Sequence, residues 1–160
     1  MSTTVTHTLT YDAPADRVTA MLADRAFREE VCDAIGVTRK SVAVETVGDG
    51  IHVTIDQWQP TNGVPSFAKK FVGEETNIVQ REIWTTPLLG DITVTIPGKP
   101  GDMTGTARIS EAGGVTTEHV EMTVKVGIPL VGGKIESFIA GLLLKALKTE
   151  NRVGRDYLTR

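Results

Sequence analysis

A single cysteine, Cys32, stands in a chain of 160 residues, so an intramolecular disulfide and any Cys-x-x-Cys metal motif are excluded. Charge of one sign is also scarce in any one place. The formal net charge is -3, Lys, Arg, Asp and Glu are interspersed, and Arg39-Lys40 and Lys69-Lys70 are only doublets, which read as solvated surface. Without a concentrated basic face, no nucleic-acid partner is expected. Long hydrophobic runs are missing as well: Leu142-Leu143-Leu144 is too short to span a bilayer, and the first residues lack the basic and apolar regions of a secretory signal. A cytoplasmic protein without membrane insertion is the expectation. Ser66, Ser110 and Ser137 have no Gly-x-Ser-x-Gly elbow around them. His7, His52 and His119 lie on separate segments without metal-ligand spacing, so neither metal nor cofactor is expected. Cys32, with no base in view, reads as a buried and inert thiol.

What is present is periodicity. Val5, His7, Leu9 and Tyr11 alternate with threonines and predict a half-buried strand. Asp12 is then placed to cap a helix in which Pro14 suits an early position and Val18, Met21 and Leu22 follow at helical spacing. A second short helix is expected over residues 26–35, with Phe27, Val31 and Ile35 at four-residue steps and Gly36 as its stop. From Val37 the period changes to two, predicting six further strands at residues 41–47, 51–58, 78–84, 92–96, 103–110 and 115–126. Gly48-Asp49-Gly50 and Ala112-Gly113-Gly114 join antiparallel neighbours in a meander. The insertion 60–75 carries Phe67, Ala68 and Phe71 at near-helical spacing and reads as a short helix or lid. After Ile128-Pro-Leu-Val-Gly-Gly, an arc of Ile135, Phe138, Ile139, Leu142, Leu143, Ala146, Val153 and Tyr157 predicts one amphipathic helix of about 25 residues, on the order of 40 Å. Its partner should be the concave face of a seven-stranded sheet, all within one domain spanning residues 1–160.

Strand, two short helices, six strands and a long helix form an order that resembles the START-like superfamily, also called SRPBCC or birch-pollen-allergen-like helix-grip proteins. The resemblance is carried by Tyr11-Asp-Ala-Pro-Ala-Asp-Arg-Val-Thr-Ala-Met-Leu-Ala-Asp24 and Ile128-Pro-Leu-Val-Gly-Gly-Lys-Ile-Glu136, and within the superfamily the chain looks like a domain-of-unknown-function family. It implies an α+β helix-grip fold with a cavity between sheet and helix, used in relatives for sterols, lipids, plant hormones, flavonoids or polyketides.

On that reading the cavity-lining candidates are His7 and Leu9 on the first strand, Phe67 and Phe71 as a gate, and Arg81, Trp84 and Met122 on later strands. Phe138, Leu142, Ala146 and Glu150 would line it from the last helix. Glu150 is the unexpected member, a carboxylate within an apolar arc. The strand 78–84 leaves its faces open. Arg81 points inward if Val79 and Ile83 do; Glu82 is the buried polar group if Ile78, Gln80 and Trp84 do instead. Leu144, Leu147 and Leu158 fall off the apolar arc and are the only hint of a partner contact. No catalytic constellation is visible, so the expected function is binding or carriage of a small hydrophobic ligand, with a polyketide cyclase or aromatase as the alternative.

Overall fold

The computed structural model describes residues 1–160. Strand β1 (Thr3–Tyr11) is followed by helices α1 (Ala15–Leu22) and α2 (Arg25–Ile35), strands β2 (Arg39–Val47) and β3 (Gly50–Pro60), and a single helical turn, α3 (Ser66–Lys69). Strands β4 (Glu75–Thr86), β5 (Leu89–Thr95), β6 (Asp102–Ala112) and β7 (Val115–Lys125) come next, and the chain ends in α4 (Gly132–Tyr157).

All seven strands form one curved antiparallel sheet in the order β1-β7-β6-β5-β4-β3-β2. Strands β2 to β7 follow one another as a meander, since most of their connections are only a few residues long. The two helices after β1 carry the chain across the sheet, which leaves β1 to pair with β7, Thr3 opposite Val124 and Tyr11 opposite Thr116. The sheet curls around α4, the 26-residue helix, and their facing surfaces make the main core with Val18, Met21 and Phe27 of the short helices.

Local chemistry explains the ends of α2. Asp24 is its N-cap, and its carboxylate accepts from the Ala26 N–H at 2.9 Å. Gly36 closes it at φ 94°, a left-handed conformation that favours glycine. Asp12 does not cap α1: Pro14 holds that position without a side-chain hydrogen bond, because the helix begins at Ala15 and leaves Asp12 outside reach of its free N–H groups.

Two contacts seat α4. Glu136, only 2% exposed, accepts from the Thr3 hydroxyl at 3.1 Å and from the Val126 N–H at 2.9 Å, joining the start of the helix to β1 and to the end of β7. Near the other end, Gly154 lets the helix backbone approach β1 and α1, since a Cβ there would lie 2.7 Å from Tyr11 Cε1 and 3.1 Å from Met21 Cε. Gly154→Val is therefore expected to overpack this junction and cost about 1–3 kcal/mol, measured as a lower midpoint in urea.

Leu147 and Leu158, which helical spacing placed off the apolar arc, turn inward: Leu147 packs against the core and Leu158 is 9% exposed. The apolar face of α4 is broad because helix α2 covers one flank while β1 and β7 cover the other. No helix is long and apolar enough to cross a membrane.

Candidate functional site

Beneath α4 the side chains do not fill all the space. A cavity of ≈ 70 Å³ lies deepest, between α2, the sheet and α4. It shares Ile35, Gln57, Gln80, Val94, Leu143 and Ala146 with a neighbouring hollow of ≈ 280 Å³. That hollow in turn shares Gln59, Ile78, Ile96, Ile139 and Leu142 with a third, of ≈ 120 Å³, which reaches Phe71 and Phe138. Together they make a crevice along one side of α4, with Leu142, 45% exposed, at its rim.

The walls are largely apolar throughout, and at the deep end they also carry charged groups. Alternation on β4 turns Ile78, Gln80, Glu82 and Trp84 inward, and Glu82 is 4% exposed. Arg28 of α2, 3% exposed, meets it in a two-pronged ion pair, Nη1 donating to Oε2 at 2.8 Å and Nη2 to Oε1 at 2.9 Å. Gln80 Nε2 donates to Oε2 at 2.6 Å and Trp84 Nε1 to Oε1 at 2.8 Å, so Glu82 accepts four hydrogen bonds. Arg28 Nε donates to the Leu22 carbonyl at 2.8 Å. Burial alone would raise the Glu82 pKa, yet the charge and hydrogen bonds of Arg28, with those of Trp84 and Gln80, hold it below the ordinary carboxylate range.

Two further carboxyl groups line the same deep cavity, Glu118 from β7 and Glu150 from α4. Glu118 is 3% exposed and its Oε1 has no hydrogen-bond partner. Its cross-strand neighbours are Leu9 and Ile109, both buried. Burial, followed by the nearby Glu150 and Glu82, holds the Glu118 pKa well above the usual value, with Arg28 only partly offsetting them. Burial likewise pushes Glu150 up to about 7. Tyr11, fully buried on β1, is another polar group without a partner for its hydroxyl, and burial, then the charges of Glu150 and Glu118, raise its pKa.

Of the residues singled out by sequence, Met122, Ala146 and Glu150 line the deep cavity, and Leu142, Phe71 and Phe138 line the outer hollows. Phe67 is partly buried against the core. Leu9 is fully buried as packing beside Glu118. His7 shares the inward face with Val5 and Leu9 but is only half-buried and lies outside all three hollows. Trp84 borders a separate hollow against α1, while its indole N–H supports Glu82. Arg81 is corrected: it is exposed on the opposite face, because the pairing of α2 with β4 through Arg28 turns Glu82 inward. The other two histidines stand apart, His52 on β3 and His119 on β7, where its Nδ1 lies 3.2 Å from the Thr8 hydroxyl oxygen. Cys32 is buried, and burial raises its thiol to about 11.

Arg28 and Glu118 escaped the sequence reading although both carry a signal. Glu118 falls in phase with Val120, Met122 and Val124, and Arg28 lies four residues before Cys32 and seven before Ile35, on the face of α2 that packs inward.

The curved sheet gripping a long C-terminal helix makes this an α+β protein with the helix-grip fold. A family model described as "Protein of unknown function (DUF2505)" matches residues 6–158, and the chain belongs to that family. No curated protein matches significantly. Among solved structures, it is similar to TTHA0849 from Thermus thermophilus, at 15% identity and TM-score 0.67, over 96% of this chain and 95% of that one. Norcoclaurine synthase from Thalictrum flavum aligns at 13% identity and TM-score 0.64, over 100% of this chain and 88% of the other. The Zhui aromatase/cyclase from Streptomyces sp. R1128 aligns at 17% identity and TM-score 0.58, over 98% and 90%. At these identities the likeness is one of fold.

Proposed function

We propose that the protein binds or carries a small, mainly apolar ligand in the crevice between α4 and the sheet. The observation that carries this reading is the continuity of the three hollows, from Phe71 and Phe138 at one end to Glu118 and Glu150 at the other. An apolar body is held by burial, at about 25 cal/mol per Å² of apolar area removed from water, while the few polar groups at the deep end orient it. A lipid-like, sterol-like or polyketide-like molecule fits that description. A single buried thiol suits the cytoplasm.

A second reading, an aromatase/cyclase-like enzyme, draws on the carboxyl pair. A group such as Glu150, raised to about 7 by burial, could exchange a proton with a bound substrate near neutral pH. It uses the same crevice and shares its first test.

That test adds bulk where the deep and middle hollows meet. Ala146 lines both, so Ala146→Phe should abolish binding of the uncharged fluorescent probe N-phenyl-1-naphthylamine while changing urea stability little. A filled core would respond otherwise. If the wild-type protein takes up no probe and Ala146→Phe costs the about 1–3 kcal/mol typical of overpacking, the crevice reading is wrong, and the enzyme reading goes with it.

A further inference from the structure

The deep end of the crevice contains two buried carboxyl groups, Glu82 and Glu118, a half-buried one, Glu150, and one guanidinium, Arg28. Arg28 and Glu82 neutralise each other through the two-pronged pair, and Glu82 is saturated by four donors. Their charges are committed. What remains is Glu118 and Glu150 on the same small cavity, with no second cation to match them. The titratable groups around them are Arg28 and Cys32 from α2, Glu82 from β4 and Tyr11 from β1; of these only Arg28 is positive. Glu118 Oε1 is buried without a partner, an unfavourable state for a polar atom. Glu118 Oε1 thus lacks a donor, and the cavity lining sets one cation, Arg28, against three carboxyl groups.

We propose that this end of the crevice receives an ammonium group, so that the ligand is an amine with an apolar body whose nitrogen lies between Glu118 and Glu150. The assignment rests on the crevice being a ligand site. A protonated amine supplies both deficits at once, up to three N–H donors and one positive charge, and a cavity of ≈ 70 Å³ has room for such a group. A hydroxyl brings one donor and no charge. A carboxylate brings a negative charge beside carboxyl groups that burial already discourages from ionising, which is strongly unfavourable. The site also links binding to protons. Burial and the neighbouring carboxylates raise both Glu118 and Glu150, the latter to about 7, and an ammonium favours their ionised forms. Amine affinity should therefore rise with pH through the neutral range, with protons released on binding.

Octylamine, octanol and octanoate, which share a chain and differ in the end group, make the comparison. Calorimetric titration at pH 6, 7 and 8 is expected to show octylamine bound at least tenfold more tightly than octanol at pH 8, with its affinity rising from pH 6 to pH 8, and octanoate the weakest. The Glu118→Gln/Glu150→Gln double variant should lose the preference for the amine over octanol. If octanol matches or exceeds octylamine, or the preference survives in the double variant, the ammonium assignment is overturned while the crevice reading stands. If N-phenyl-1-naphthylamine binds in the crevice and octylamine does not, the assignment again falls alone. If neither the probe nor any member of the series binds, both fall together.

Discussion

Arg28→Met is expected to lower the stability of the protein by about 3–5 kcal/mol, the usual cost of removing one partner from a buried ion pair. The size follows from what is left behind. Glu82 remains 4% exposed with two neutral donors, Gln80 and Trp84, where it had a bidentate guanidinium as well. Either it stays charged without its counter-ion, or it takes up a proton and weakens the hydrogen bonds it accepts from Gln80 and Trp84. The Leu22 carbonyl at the end of α1 also loses its donor. Removing both partners should be milder than the sum of the single changes, since Arg28→Met/Glu82→Met leaves no buried charge at this position. Urea unfolding followed by tryptophan fluorescence measures both quantities, with Trp84, bonded to Glu82, as an internal reporter. A single-variant loss below about 1 kcal/mol would contradict the burial of this pair, because exposed ion pairs contribute only on that scale.

Stability should also fall as the pH rises from about 5 to about 8, with Glu118 and Glu150 responsible. A carboxyl group whose pKa is higher in the folded protein than in the unfolded chain binds its proton more tightly when folded. It thus stabilises the fold below its unfolded pKa, and that contribution is lost as the pH rises through the folded value. For Glu150 the interval runs from 4.5 to about 7, corresponding to roughly 3 kcal/mol at 1.36 kcal/mol per unit. Glu118, raised well above 4.5, acts in the same sense. Glu82 acts oppositely: its pKa is lowered, so its contribution is present above the ordinary carboxylate value and disappears as the pH falls through the folded one. The two trends place the maximum near pH 4.5, the ordinary carboxylate value from which they run in opposite directions. Urea unfolding across this range should show the decline, and Glu150→Gln should flatten it by removing a titrating group. A wild-type stability that climbs steadily to pH 8 would exclude a protonated pair at the deep end of the crevice.

Element order was legible along the chain because backbone periodicity is local. Threonines alternating with Val5, His7, Leu9 and Tyr11 define β1, and the glycine-bearing connections at residues 48–50 and 112–114 join β2 to β3 and β6 to β7. The apolar arc beginning at Ile135 predicted a helix of about 25 residues, and α4 has 26. Part of the crevice was legible for the same reason: Leu142, Leu143, Ala146 and Glu150 lie on one side of that helix and line its hollows.

What the periodicity of β4 could not choose was its inward face, since Val79 and Ile83 make one side apolar while Ile78 and Trp84 do the same for the other. The choice is made by Arg28, 54 residues away in the chain, which α2 brings over that strand and which requires Glu82 rather than Arg81 beneath it. Glu118 was in phase with an apolar run, yet its meaning depends on Glu150 arriving opposite it on a helix from the far end of the chain. Which segments become strands and helices follows from the order of residues along the chain, because those preferences arise between residues a few positions apart. Which charges are buried, and whether they are paired, emerges with the packed fold, because it depends on the distances between groups the chain separates widely.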